Sequence, residues 1–591
     1  MNLQKIISYL RIAVGIAIVA LLSVNADLVY SLFSHSSDSE LLIVFFQITI
    51  ICALSFAVHY LSLSTSIPSF VMAIFFGLAA QPLLEPIVKH ADALGALVGL
   101  GATLILFGGG LETPFYNFRK LFWKIGSLSF IGLFITALLF SYVVYWFGGA
   151  LGASISIMAA ILLGSALAST DPAAIIPVLK HIRFNNRETK DIIVAESALT
   201  DVTGSLLTII FLSLLASGLV VPTIWAGYQS LFTFSALELL VKEIFFGLLF
   251  GGVGYGLLEF LVRFKKRNKH EYGVDAAFFI FVPMISFTAA VAFGGSGYLA
   301  AFIAGLLFSM TEHLRDTEHF FNNIIDGFLK PMIFLLLGAL VDFKSLIDYA
   351  ALGIIASIVF MFVIRPLIVW ISIGPFLIFG KNKLSWREIS FISFVRETGA
   401  IPAVLLVTII SFGFPNLDGL IAVGMWVILS TLIIQPPLTP YVGRLLKIGT
   451  PIGEEDEGEL RLNSPDALVV LGSRGHSHPK RLPYVTEWAS NRGINKVALL
   501  LCLEDRYEPE LLAKLEDEAR QQFESINKAR EAAGNPAMKF EIVSRSGFLQ
   551  KNIDDISRTQ RNVIAIFVGR RVLDFRLSEV KHLSVPLFFL D

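Results

Sequence analysis

Cysteine is almost absent. The chain has two in 591 residues, Cys52 in an apolar run and Cys502 in a strand-like run, so a disulfide framework is excluded. A single thiol in the tail fits a reducing compartment. Charge is scarce as well: Asp, Glu, Lys and Arg make up 16% of the chain against 55% hydrophobic residues. The mean hydropathy is +0.72, well outside the soluble range. A net formal charge of −1 gives no bias toward nucleic acid. The few charges crowd into short loops and into everything after about residue 450. Between those loops, 51 Phe residues suit lipid-facing helices better than a soluble core.

Apolar runs of about 18 residues or more read as membrane spans. They fall at roughly 8–32, 40–62, 66–86, 94–112, 120–147, 152–180, 190–218, 235–263, 273–293, 296–311, 323–341, 346–379, 385–413 and 416–443. The fold class is thus an α-helical polytopic membrane protein with about fourteen spans. With the N-terminus inside, Arg119, Lys120, Lys180, Arg183, Arg187, Lys190, the basic cluster at 263–269, Arg315, Lys381, Lys383 and Arg387 all fall in inner loops. Outer loops hold little beyond Lys89 and Lys344, as the positive-inside rule requires. That places the chain in a cell (inner) membrane with both termini cytoplasmic.

Lys5 and Arg11, an apolar run and then Val24-Asn25-Ala26 also fit a signal peptide, whose removal leaves one span fewer. The run continues past that point, which favours a helix. The chain then divides into an extra N-terminal transmembrane helix (1–39) and a first repeat (40–218). A linker helix and loop (219–270), a second repeat (271–446), an acidic linker (447–463) and a cytoplasmic α/β regulatory domain (464–591) follow. The two repeats are six-helix halves of inverted topology, a transporter arrangement with its site at mid-membrane.

Ionisable residues inside the apolar runs carry the chemistry, since each is costly there and marks function by default. In the sixth run, Thr170-Asp171-Pro172 lies mid-span. Pro172 breaks the helix, and Asp171 can meet the positive amide end of the second half-helix. The bland alternative is a proline kink with an aspartate cap. The seventh run carries Glu196, Ser197, Thr200 and Asp201. At about 100° per residue Ser197 and Asp201 share a face, while Glu196 and Asp201 diverge by roughly 140°. Two separate roles follow. Glu196 reads as a buried acid with a basic partner, and Asp201 as the working carboxylate. Arg396 sits in a second interrupted run, before Gly399 and Pro402. A buried Arg needs a carboxylate; Glu196 is the expected partner and Glu397 its competitor.

These segments resemble the cation/proton antiporter superfamily, in particular its electroneutral sodium/proton exchanger branch, over roughly residues 40–445. Thr170-Asp171-Pro172 matches the family's crossover motif. Glu196-Ser197-x-x-Thr200-Asp201 is similar to its Glu-Ser-x-x-Asn-Asp, and Arg396 to its basic residue in the second broken helix. Softer likenesses are Ile105–Leu111 and Phe334–Gly338. Two positions depart from the pattern: Thr200 stands where the family has Asn, and Glu397 where it has Gly. Thr200 carries no charge to titrate, which favours electroneutral exchange over the electrogenic kind.

The resemblance implies that Asp201 holds either a proton or a desolvated Na⁺ (or K⁺). Ser197, Thr170, Thr200 and Asp171 stand as further candidates for the ion. It also implies a homodimer in the lipid bilayer whose transport domain slides against a dimerisation domain. No cofactor is implied, and no metal beyond the transported ion.

After the acidic stretch 453–459, strand-like runs at about 466–473, 496–503, 539–545, 563–569 and 586–591 alternate with charged helical segments, the pattern of a largely parallel sheet. It resembles the universal-stress-protein fold. A Gly-x-Gly-x-x-Gly fingerprint is missing after the first strand. Gly472 to Arg474 can approach a phosphate of a small regulatory ligand, or form a plain turn. His476 and His478 lack the cysteine or carboxylate company of a metal site. Two other classes compete with an exchanger: a tail-gated cation channel, and a membrane enzyme, for which no nucleophile–base set is present.

Overall fold

The computed structural model describes residues 3–31, 39–62, 65, 67–170, 179, 182–184, 186–219, 221–267, 276–310, 321–377, 384–414, 417, 419–451, 468–473, 478–503, 509–532, 534–546, 563–569 and 587–590. The chain forms two compact units, Met1–Pro451 and Ile452–Asp591.

The first unit is helical. In chain order it begins with α1 (Leu3–Val24), α2 (Ser39–Ser62), α3 (Ser69–Ala79), α4 (Gln81–Lys89) and α5 (Ala91–Glu112). A long span follows, α6 (Phe115–Gly126) running through a π turn at Ser127–Gly132 into α7 (Leu133–Ala150). Next come α8 (Ile157–Leu167), α9 (Arg187–Ala216), α10 (Phe234–Arg267), α11 (Ala276–Ala292) and α12 (Gly297–Phe308). A π turn at Ile325–Leu329 leads into α13 (Lys330–Leu340), and another at Phe360–Ile364 joins α14 (Ala350–Val359) to α15 (Arg365–Ile373). The unit closes with α16 (Trp386–Phe394), α17 (Ala400–Ser411) and α18 (Leu420–Leu445).

Among the described residues, eight helices are long and apolar enough to cross a membrane, or nine with the bent pair α3 and α4 as one span. Five further apolar segments of the described residues are shorter, at Tyr9–Val24, Ile157–Leu167, Ala277–Ala292, Gly297–Phe308 and Ala400–Ser411. α3 and α4 meet at 88°, where Pro82 opens a new helix because it has no amide to continue the old one.

Glycines let the helices touch backbone to backbone. A side chain on Gly77 would strike the Leu335 carbonyl and one on Gly338 the Ile74 carbonyl, so α3 and α13 cross on reciprocal glycines. α5 and α12 do the same, Gly110 against the Phe302 carbonyl and Gly305 against the Phe107 carbonyl. In lipid, where apolar area alone drives no association, such close approach supplies the packing.

Two short strands tie the chain before α9 to the end of this unit. β1 (Ile182–Phe184) pairs antiparallel with β2 (Gly449–Pro451), placing Arg183 opposite Thr450. β1 stands directly before α9, and β2 just after α18. The Phe184 ring packs edge-on to Phe391 of α16, 5.9 Å between centroids.

The second unit holds a parallel sheet of β3 (Leu468–Ser473), β4 (Lys496–Leu503), β5 (Lys539–Ser546), β6 (Val563–Gly569) and β7 (Leu587–Leu590), in the order β5-β4-β3-β6-β7. Its helices are α19 (His478–Ser490) and α20 (Pro509–Ala532), as parallel strands need crossovers. Leu482, Val485, Val497, Leu499, Phe523 and Phe567 lie in its own small core. Gly472 is in β3 and His478 opens α19; Arg474 and His476 lie outside the described residues.

Candidate functional site

Among the described helices long enough to span a membrane, α9 is the most enclosed. It starts where the Asn186 side chain accepts the Glu188 amide, 3.1 Å, an N-cap of the usual kind. Two turns and more along it, Glu196, Ser197, Thr200 and Asp201 are all buried. The structure separates the two carboxylates, as their angular spacing predicts. Glu196 faces α15, and Asp201 faces a cleft.

Glu196 is held by Arg365, not by the expected Arg396. Nη1 and Nη2 of Arg365 each donate to one Glu196 oxygen at 2.8 Å, a bidentate pair whose side chains are 5% and 2% exposed. Such fork geometry satisfies both charges at once. Arg396 lies in the unwound stretch between α16 and α17, and its guanidinium turns to the end of α8. There Nη2 donates to the carbonyls of Leu167 (3.1 Å) and Ala168 (2.6 Å), and the group stacks over the Phe360 ring at 3.8 Å. The carboxyl end of a helix carries partial negative charge, and an aromatic face adds attraction for a cation. Arg396 thus neutralises a broken helix.

The unwound stretch is pinned by α18. Gln435 Nε2 donates to the Phe394 carbonyl (2.7 Å), and the Thr398 amide donates to Thr431 Oγ1 (3.3 Å). Glu397, the competitor considered for Arg396, is buried beside it.

Thr200 joins α9 to the chain leaving α8. Its hydroxyl donates to the Ser197 carbonyl at 2.9 Å, so its lone pairs accept the Thr170 amide (3.3 Å) and the Thr170 hydroxyl (2.9 Å). One proton and two lone pairs are the whole capacity of a hydroxyl. The hydroxyl of Thr200, an expected ion ligand, is engaged by these three bonds. Thr170 keeps acceptor capacity on its hydroxyl oxygen. Asp171 lies outside the described residues.

Asp201 lines a narrow cleft. Gly108 and Glu112 of α5 form one wall, and Asn322, Asp326 and Lys330 another. Of the expected site residues described, Asp201 alone lines it. Asn322 Nδ2 donates to Glu112 Oε1 (3.1 Å), and Lys330 Nζ pairs with Asp326 Oδ1 (2.6 Å).

All three π turns border this region. Ser129, in the first, donates to the Glu196 carbonyl at 3.4 Å, and Thr203 donates back to the Ser129 carbonyl at 2.9 Å. Ile325 and Asp326 of the second line the cleft, and Phe360 of the third lies under Arg396. Such turns are rare and recur at functional sites.

Sequence reasoning missed Arg365, although it carried the same signal as Arg396: an arginine inside an apolar run, here followed by Pro366. Glu112, Asp326 and Lys330 stand at helix ends, where charge reads as ordinary loop composition.

The model of the family described as "Sodium/hydrogen exchanger, transmembrane" matches residues 47–444. The K(+)/H(+) antiporter NhaP2 of Shewanella baltica is 27% identical over 355 residues, 60% of this chain and 57% of that one. The Na(+)/H(+) antiporter NhaP of Pseudomonas aeruginosa is 25% identical over 299 residues, 47% of this chain and 67% of that one. The matched part thus spans under two thirds of the Shewanella relative. The solved structure of the sodium proton antiporter MjNhaP1 from Methanocaldococcus jannaschii at pH 8 superposes with a TM-score of 0.54 at 21% identity, over 67% of this chain and 99% of that one; the helical fold is shared. With a family match covering more than half of its length, the chain belongs to the transmembrane sodium/hydrogen exchanger family.

Proposed function

We propose that this protein exchanges a monovalent cation, Na⁺ in the first reading and K⁺ in the second, for H⁺ across the cytoplasmic membrane. One carboxylate, Asp201, alternately holds the cation or the proton. The observation that carries this is its placement: a buried carboxylate on a highly enclosed spanning helix that nevertheless lines a cleft with charged walls. A bare anion in such a site is costly, so it is occupied by one partner or the other. If the loaded and protonated states cross and the empty anion does not, exchange is obligatory.

Thr170 and Ser197 remain the proposed companions of Asp201, with Asp171 at the crossover. Glu196 is paired with Arg365, and Arg396 donates to the end of α8, so in this reading Asp201 is the carboxylate that changes charge. That accounting supports one cation for one proton, an electroneutral cycle. The proposal includes about fourteen spans as two inverted repeats, an inner-membrane homodimer with cytoplasmic termini, and a tail of universal-stress-protein type that takes a small regulatory ligand. The relatives include a K(+)/H(+) and a Na(+)/H(+) antiporter, so both cations belong in the test.

Everted vesicles carrying the protein are given Na⁺ or K⁺ at several pH values, and proton movement is followed. Wild type releases protons on cation addition and Asp201→Asn does not; retained exchange in that variant sinks the assignment. Current without coupled proton flux would indicate the tail-gated channel instead.

A further inference from the structure

The buried stripe of α10 carries one charged residue. Ala236, Glu243, Gly247, Gly251, Gly254 and Leu258 are buried along it, at spacings of three, four or seven that keep them on one face. Its glycines admit the neighbouring helices. A side chain on Gly247 would strike Leu299, one on Gly251 Ile303, and one on Gly254 Ser286. Glu243 continues that face one turn earlier and is 7% exposed. Its Oε2 is enclosed with no hydrogen-bond partner, and its carboxylate makes no ion pair among the described residues. The cation beside it in sequence is used elsewhere: Lys242 pairs with Glu238 at 2.7 Å, both about half exposed. The Ser296 amide, just before α12, donates to the Glu243 backbone carbonyl (3.0 Å) and not to its side chain.

The elements packed against α10 offer no counter-charge. α11 and the turn at Ser230–Phe232 hold no ionisable residue, and α12 holds only Tyr298, whose hydroxyl lies toward Gly99 of α5. α9 carries Arg187, Glu188, Lys190, Asp191, Glu196 and Asp201, and no ionisable residue from Val202 onward. Of these, Glu188 pairs with Lys120, Glu196 with Arg365, and Asp201 lines its cleft, of which Glu243 is no part. A carboxylate enclosed without a partner is costly enough that it takes up a proton instead.

We propose that Glu243 is a second proton-binding site, apart from the transport site, and that its proton holds α10 against α12. The neutral acid fits among glycines and apolar side chains. The anion does not, and hydrating it means parting the two helices. α12 supplies Phe302 to the wall of the Asp201 cleft, so that parting reaches the transport site and stops exchange. The proton on Glu243 is not carried, and the count of one cation for one proton at Asp201 stands. Only this link to exchange rests on the antiport reading.

Infrared spectra of the purified full chain, wild type minus Glu243→Gln, show the carbonyl band of a protonated carboxylic acid at neutral pH and lose it as pH rises. Melting follows from linkage: the folded chain holds a proton that the unfolded chain has released. Stability therefore falls as pH climbs from the ordinary carboxylate range, until the folded chain loses the proton too. Across that window the wild-type melting temperature drops by about 1–2 °C per pH unit relative to Glu243→Gln. Glu243→Asp, which keeps an acid, drops as wild type does.

In everted vesicles starting from equal pH on both sides, wild-type exchange relative to Glu243→Gln follows the protonated fraction. It is about one half where half of the band is gone, and about a tenth one pH unit higher. A missing band, or a Glu243→Gln that melts in parallel with wild type at every pH, overturns the proton site. An exchange ratio that stays constant while the band titrates overturns the link to transport. Wild-type vesicles that exchange neither cation sink the antiport reading, while the infrared and melting results still decide the proton site.

Discussion

Glu196 and Arg365 show how a single pairing organises buried charge. Both are enclosed and bond through two parallel contacts of 2.8 Å. Removing one partner strands the other, at a cost of about 3–5 kcal/mol, while replacing both with apolar residues costs far less. Arg365→Leu or Glu196→Leu alone should therefore lower the melting temperature in detergent more than the double replacement does. A double variant that melts as low as the sum of the singles would contradict the pairing. The same comparison with Arg396 in place of Arg365 should show no such rescue, because its charge is answered by the Leu167 and Ala168 carbonyls. Sequence marked Glu196 and Arg396 as buried charges, and both are buried. Which arginine met which carboxylate was not legible, because the partners lie 169 residues apart and no local spacing encodes that contact.

At the scale of elements, glycines show where helices need each other. Gly109 and Gly110 are neighbours on α5 with opposite surroundings. A side chain at Gly110 would meet the backbone of α12, whereas one at Gly109 has open space. Gly110→Ala should destabilise by roughly 1–3 kcal/mol through forced separation of the two helices. Gly109→Ala should be neutral or stabilising by up to about 1 kcal/mol, since alanine favours the helix. Thermal melts of the two purified variants check this, and equal losses would refute the crossing geometry. The run Ile105–Leu111 was visible in the sequence as a family likeness. Its reason, close backbone contact with Gly305 on a distant helix, appears only once the helices are packed.

Across the whole molecule, the unit that ends at Pro451 has its own core and closes with the β1–β2 ribbon. A chain ended after Pro451 keeps that ribbon, and one ended after Lys447 loses it. The first should be recovered from membranes as a monodisperse species with a near wild-type melting temperature, and the second should melt lower. Equal behaviour of the two truncations would show that the ribbon contributes nothing to the unit. The tail was legible in outline: strand-like runs read at 496–503 and 563–569 coincide with β4 and β6, because short apolar runs between charged helices leave few other arrangements. Bends and breaks within the spans were less legible. Apolar length counts residues that are able to sit in lipid, and it cannot see an 88° bend between α3 and α4 or a helix that stops at Leu167.

The sequence by itself determined the class of protein, the family and the small set of ionisable residues worth watching. Hydropathy and buried charge are properties of the residues themselves, and they survive without coordinates. Only the tertiary structure decided their division of labour: Asp201 to the cleft, Glu196 to Arg365, Arg396 to the end of α8, Thr200 to Thr170 and Lys330 inward beside Asp326. Those assignments depend on how each helix is rotated about its axis and which distant helix it touches, and packing across the bundle fixes both.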